Sequence, residues 1–341
     1  MTDISRRKIE HIDTVLTGGA AIASGETGLE LVRFDHVALP ELDLSEIDVA
    51  SRFLGHKIKA PLLVSSMTGG PDRSQQLNER IAGACQLLGL PFGVGSQRIA
   101  LEGHGEAGFS AKLRERAPDV PIFANFGAAQ LKQWDGPAMA LTALEMIDAD
   151  ALIIHLNPLQ EAVQAGGDKN WRGLLDCIAN VCATLPKPVI VKEVGAGISA
   201  SLALQLIEAG AAAIDVSGVG GTSWAGVEAE RAETEHQRAV ASAFRDWGIP
   251  TATAVRDVRA AAPEIPLIAS GGIKTGVDVA KSLRLGADMT GLAAGVLAAA
   301  VTSEKALIER LEAIIEQLRI TCFCTGSRDL SALRRARLIA Q

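Results

Sequence analysis

The amino-acid sequence predicts an α/β protein of the (β/α)8 class: a TIM barrel with an N-terminal extension and a long loop after strand 6. Three observations carry that prediction. From about residue 61 onward, eight short apolar runs alternate with amphipathic helical stretches, and such alternation implies parallel strands joined by crossover helices. Almost every polar residue adjoining those runs sits at their carboxyl ends, where a closed barrel gathers its functional side chains. No run is followed by Gly-x-Gly-x-x-Gly, the turn expected of the rival open, doubly wound sheet.

Residues 1–60 precede the first run and are expected to form an extension or lid packed on a barrel of residues 61–341, the whole being one structural domain. The predicted strands are 61–66, 91–96, 121–125, 151–155, 188–192, 212–216, 266–270 and 288–293. Several open with proline, which is tolerated at a strand's first residue. Helical periodicity is read at 74–88, 171–185, 201–209, 277–285 and 305–318. Residues 222–250 make the long loop after the sixth strand; it continues Gly220-Gly221-Thr222-Ser223-Trp224 and carries a charged stretch over 228–238. A long loop at that end of a barrel is more often functional than inert.

Composition narrows the partners. The formal net charge of −7 argues against nucleic acid, since phosphate neutralisation needs a basic face. The start lacks the apolar core of a secretion signal and no apolar run has membrane-spanning length, so no membrane partner and a cytoplasmic location are expected. The five cysteines are scattered and read as reduced thiols, with Cys322-x-Cys324 too isolated to be a strong metal signal.

The strand ends, read in order, present Ser65-Ser66-Met67-Thr68-Gly69-Gly70, Ser96-Gln97-Arg98, Asn125, His155-Leu156-Asn157 with Gln160-Glu161, Lys192-Glu193, Asp215 with Ser217, Ser270-Gly271-Gly272 and Ala293-Ala294-Gly295. Lys192 closes the run Val189-Ile190-Val191. It either snorkels to solvent or faces the barrel interior, where an ammonium needs an anion such as a reduced flavin ionised at N1. The Gly271-Gly272 and Ala293-Ala294-Gly295 turns follow strands seven and eight, the usual phosphate site of this fold, where backbone amides bind phosphate without a cation. Glu161 is either a surface carboxylate near a helix start or, beside a diphosphate, a ligand for Mg2+. Arg7 and Lys8 are either a solvated terminal charge run or donors to that diphosphate.

Taken together, several motifs resemble the type 2, FMN-dependent isopentenyl-diphosphate isomerase family. They are Arg7-Lys8-x-Glu10-His11-Ile12, Ser66-Met67-Thr68-Gly69-Gly70, Ser96-Gln97-Arg98, His155-Leu156-Asn157-x-x-Gln160-Glu161, Val191-Lys192-Glu193-Val194-Gly195, Asp215-x-Ser217-Gly218, Gly220-Gly221-Thr222-Ser223-Trp224 and Gly271-Gly272-Ile273. The resemblance implies reversible isomerisation of isopentenyl to dimethylallyl diphosphate, a step of isoprenoid biosynthesis. It implies proton transfer with reduced FMN, with Mg2+, with NAD(P)H as flavin reductant, and in a homo-oligomer (tetramer or octamer). It further implies FMN contacts from Ser66, Met67, Thr68, Gly69, Ser96, Asn125, Lys192, Ser217, Thr222, Gly271, Gly272, Ala293 and Ala294. Arg7, Lys8, Ser96, Gln97, Arg98, Asn157 and Gln160 would bind substrate, Glu161 the Mg2+, and Gln160, His155 and Lys192 would take part in catalysis.

The runner-up is an FMN-dependent 2-hydroxy-acid oxidase or dehydrogenase on the same barrel. It needs a histidine base and carboxylate-gripping arginines near strands six to eight, where this sequence has Asp215, Ser217 and Thr222 and places His236 well outside.

Overall fold

Eight parallel strands, β3 (Leu62–Val64), β4 (Phe92–Gly93), β5 (Ile122–Gly127), β6 (Ala151–Leu156), β7 (Val189–Glu193), β8 (Ala213–Asp215), β9 (Leu267–Ala269) and β10 (Met289–Leu292), pair in chain order and close β10 onto β3. This is the predicted TIM barrel, seen in a computed structural model that describes residues 26–67, 71–103 and 108–339, the side chains of 71–74 aside.

Both faces of each strand are covered, one by side chains across the barrel and the other by helices, which is why the runs are apolar throughout rather than alternating. The inner layer is Leu63, Phe123, Ala151, Ile153, Ile190, Ala213, Ile268 and Met289; Leu62, Val64, Leu152, Ile154, Val189 and Val191 face the helices. Successive strand side chains point to opposite faces. Two residues beyond the last inner one of each of these seven strands, the same face therefore carries Ser65, Asn125, His155, Lys192, Asp215, Ser270 and Gly291. A polar ring above the apolar layer follows directly from this parity.

The extension contributes a feature that the sequence did not announce. A hairpin, β1 (Ser51–Phe53) and β2 (His56–Ile58), turns through Leu54 and Gly55 at φ 45° and 85°, as a two-residue hairpin with both central residues left-handed requires. Its Phe53 and Ile58 pack on the inner layer and so plug the amino end of the barrel, opposite the mouth.

The stretch 222–250, expected as a loop, instead folds into helices Trp224–Glu230 and Glu235–Ser242. Ser223 caps the first through the Gly226 N–H, and Thr234 with Gln237 forms a capping box on the second, satisfying amides that a helix start leaves open. The predicted helix at 305–318 runs further, over Glu304–Cys324. Cys322 and Cys324 lie in its last turn; burial, helped by Asp329, pushes the Cys322 thiol up to about 12, so it stays a protonated core thiol.

Candidate functional site

The polar ring opens into a cavity of about 520 Å³ at the carboxyl end of the strands, in the size range of small-molecule and cofactor sites. Ser66, Met67, Ser96, Arg98, Asn125, His155, Asn157, Gln160, Glu161, Lys192, Ser217, Thr222, Gly271, Gly272, Ala293 and Ala294 all line it. Arg7, Lys8, Thr68 and Gly69 lie outside the described residues. Gln97 is different: its side chain is fully buried in the wall, donating to the Ala143 carbonyl at 3.0 Å and accepting from the Asn125 N–H at 2.9 Å. Its amide is committed to structure and is not presented to the cavity.

One end of the cavity is built from backbone. Gly271 and Gly272 sit at φ +99° and +77°, conformations that side chains rarely tolerate. A Cβ on Gly271 would lie 2.1 Å from the Gly218 carbonyl, and one on Gly272 would lie 2.4 Å from Thr27 Cγ2. The hydroxyl of buried Thr251 donates to the Gly271 carbonyl at 2.7 Å and pins the turn. Beside it the helix Ala294–Thr302 begins with no side-chain cap, so its first amides remain available to an anion. Ser217, between β8 and this turn, holds φ 40°, a strained value for a non-glycine residue and of the kind concentrated at functional sites.

The floor carries charge. Lys192 is 6% exposed; its Nζ donates to the Glu193 carbonyl at 2.6 Å and lies 3.7 Å from Asp215 Oδ2. The Glu193 carboxylate turns away and accepts the N–H groups of Val194 and Gly195 at 2.6 Å, of Ala196, and of Gly197 at 3.2 Å. It thereby folds the loop whose Val194 and Gly195 line the cavity. Burial pushes the Glu193 carboxyl up, against the pull of those amides and of Lys192. Burial likewise raises Asp215, opposed by Lys192 and by the Ser270 hydroxyl.

The facing wall is a hydrogen-bonded chain. His155 Nδ1 and Asn125 Oδ1 are 2.8 Å apart. Asn157 precedes the short helix Pro158–Val163, and its Nδ2 donates to Glu161 Oε1 at 2.9 Å while the Asp168 N–H donates to Oε2 at 2.7 Å. Gln160 Nε2 donates to Glu228 Oε1 at 3.2 Å, and Arg231 pairs with the other Glu228 oxygen at 3.2 Å. Glu228 is 6% exposed. Read from the sequence it belonged to the charged stretch over 228–238 of the long loop; its position on a Ser223-capped helix was the signal available.

Two buried polar atoms at this cavity, Ser66 Oγ and Asn157 Oδ1, have no hydrogen-bond partner among the described residues. Native proteins rarely leave such atoms unsatisfied unless a ligand or water meets them. The site could therefore hold an anionic planar cofactor over Lys192, with its phosphate at the glycine turn. Among the described residues no group of three or more His, Cys, Asp or Glu is placed to hold a metal. A cation here would rest on Glu161 together with ligand oxygens, the usual habit of Mg2+. No helix among the described residues is long and apolar enough to cross a membrane.

Residues 139–340 match the family described as FMN-dependent dehydrogenase. The chain is 57% identical over 333 residues to the isopentenyl-diphosphate delta-isomerase of Xanthobacter autotrophicus, covering 98% of this chain and 97% of that one. It is 57% identical to the protein of that name from Stutzerimonas stutzeri, over 98% and 96% of the two chains, and 51% identical to the one from Nostoc sp., over 97% and 94%. Among solved structures, a mandelate oxidase with (S)-2-phenylpropionate superposes with TM-score 0.64 at 19% identity, over 94% of this chain and 92% of that one. A mandelate oxidase variant with a monooxide FMN adduct gives 0.64 at 19%, over 94% and 95%. At such identities the likeness concerns the fold alone.

Proposed function

The chain belongs to the FMN-dependent isopentenyl-diphosphate delta-isomerase family and is an isomerase, and from that premise we propose that it interconverts isopentenyl and dimethylallyl diphosphates in the cavity at the barrel mouth. The observation that carries this reading is the pairing, in one cavity, of a buried ammonium at Lys192 with an uncharged phosphate turn at Gly271-Gly272.

The residues present fit FMN. Ser66, Met67, Ser96, Asn125 and Lys192, joined by Thr68 and Gly69, would surround its ring; Ser217, Thr222, Gly271, Gly272, Ala293 and Ala294 would take its ribityl phosphate. When bound and reduced, it supplies an electron-rich ring that stabilises positive charge at a protonated alkene, and ring nitrogens that exchange protons. The chain's own work is then placement. Lys192 holds negative charge at the ring. Gln160, steadied by its hydrogen bond to Glu228, sets the alkene end, and His155, held by Asn125, lies on the same side. Arg7, Lys8, Ser96, Arg98 and Asn157 bind the diphosphate, with Gln97 supporting that wall from behind. A site filled by cofactor and substrate would exclude water, which would otherwise trap a carbocation-like centre. NAD(P)H serves as the flavin reductant, and the enzyme works in the cytoplasm as a homo-oligomer, tetrameric or octameric.

Glu161 would hold a Mg2+ ion, which would supply positive charge against the substrate's diphosphate. Replacing Glu161 with glutamine is expected to raise the Mg2+ concentration needed for half-maximal activity by roughly tenfold or more, in the range seen when a metal site loses a supporting group. The flavin absorption spectrum stays unchanged. An unaltered Mg2+ dependence removes Glu161 from the metal site.

The isomerase reading is tested by stoichiometry. Under anaerobic conditions a single equivalent of reductant is expected to support many turnovers, and admitting oxygen to stop them. One NAD(P)H consumed per product would make the protein an oxidoreductase. The 2-hydroxy-acid oxidase reading gains nothing from the cavity: among the described residues His155 is its one lining histidine, on β6, and His236 is exposed on the helix Glu235–Ser242.

A further inference from the structure

Lys192 and Asp215 stand in direct register on β7 and β8, and strand parity turns both side chains into the barrel. Asp215 is 1% exposed and does not line the cavity, whereas Lys192 and Ser270 do. The carboxylate therefore sits behind the ammonium as seen from the ligand. Its Oδ1 accepts the Ser270 hydroxyl at 2.6 Å; its Oδ2, without a hydrogen bond within the usual distance among the described residues, faces Lys192 Nζ at 3.7 Å. The Ser270 hydroxyl and the Lys192 ammonium both favour the ionised carboxylate, against the burial that raises it. Glu193, the other acid beside Lys192, directs its carboxylate to the four amides of its own loop and offers Nζ only its carbonyl.

An ammonium with a carboxylate close behind it projects a much weaker field than a bare one, because the two charges nearly cancel beyond a few ångströms and little solvent lies between them to screen either. We infer that Asp215 is a positioning residue that sets, through Lys192, how strongly the cavity favours an anionic ring over its neutral form. It keeps the lysine oriented, and it withholds part of the ammonium's charge from the ligand. With FMN as the ring, a point resting on the function proposed above, the pair moderates the preference for the reduced anion. Oxidised FMN is then not excluded from the same pocket, and the flavin can load before it is reduced. The carboxylate itself touches neither ring nor substrate.

The test is the midpoint potential of FMN bound to the full-length protein, measured by spectroelectrochemical titration. Asp215→Asn removes the opposing charge while keeping size and a polar partner for Ser270. It is expected to increase the preference for reduced over oxidised FMN by about tenfold, which for a two-electron couple is a rise of about 30 mV. Should that variant not fold, Asp215→Ser, smaller and able to admit a water, is expected to shift the potential in the same direction. A potential that is unchanged or lower in a yellow, folded variant overturns the inference and leaves the flavin reading standing. Failure of both variants to fold assigns Asp215 to structure alone and also overturns it. A wild-type protein that takes up no FMN defeats the functional reading itself, and the inference with it.

Discussion

Replacing Lys192 with methionine is expected to weaken FMN binding and destabilise the barrel at once, and the two effects separate by pH. Methionine keeps an unbranched side chain, one atom shorter, and removes its charge. Asp215 is then left 1% exposed with the Ser270 hydroxyl but without the ammonium beside it. Removing one member of a buried ion pair typically costs about 3–5 kcal/mol, a cost the protein can reduce only by protonating the carboxylate. Burial already raises Asp215 above its ordinary value of 3.8, with Lys192 foremost among the opposing influences, so losing the lysine raises it further. A carboxyl whose pKa is higher in the folded state contributes stability below the unfolded value, and that contribution is lost as pH rises through the folded one. The variant's deficit against wild type should accordingly be smallest near pH 4 and grow towards neutrality, read by thermal unfolding across a pH series. Affinity for reduced FMN should fall by about ten- to a hundredfold, the loss of about 1.5–3 kcal/mol typical of a charged hydrogen bond. Unchanged stability across the pH range, with unchanged affinity, would mean that Lys192 faces neither Asp215 nor the ligand.

Gly271→Ala is expected to yield a protein that purifies without colour. At φ +99° the new methyl carries a backbone strain of about 1–3 kcal/mol, and its Cβ would lie 2.1 Å from the Gly218 carbonyl and 2.6 Å from the Gly218 nitrogen. Neither atom belongs to a flexible side chain that can swing aside. The turn must move, although Thr251 Oγ1 ties its carbonyl in place at 2.7 Å, and the amides that would receive phosphate move with it. The control is Gly55→Ala in the hairpin at the opposite end: φ there is +85°, but nothing lies within 4 Å of the added Cβ. It should cost about 1 kcal/mol of stability and leave FMN bound. Retained flavin in the Gly271 variant, measured by absorbance of the purified protein against its FMN-titrated form, would remove this turn from the phosphate site.

The eight strands, their carboxyl-end polar residues and the glycine turn after the seventh were legible in the chain because each depends on neighbours a few residues apart. Ile190 and Lys192, or Ile153 and His155, share a face through the two-residue period of a strand; Asn157 and Glu161 meet through a single helical turn. The ring of Ser65, Asn125, His155, Lys192, Asp215, Ser270 and Gly291 needs nothing beyond that parity and the closure of the barrel. Contacts between distant segments were set by register and crossover packing, which no local pattern encodes. Asp215 meets Ser270 across 55 residues, and Gln160 meets Glu228 across 68. Gln97, beside a strand end like its neighbours Ser96 and Arg98, turns into the wall because the Ala143 carbonyl and the Asn125 N–H converge on it there. The 51–58 hairpin is short and not obviously amphipathic, and Phe53 and Ile58 become core only because the amino end of the closed barrel leaves an apolar layer for them to cover. Local periodicity thus placed each group at the mouth, and the three-dimensional closure decided which of them touch.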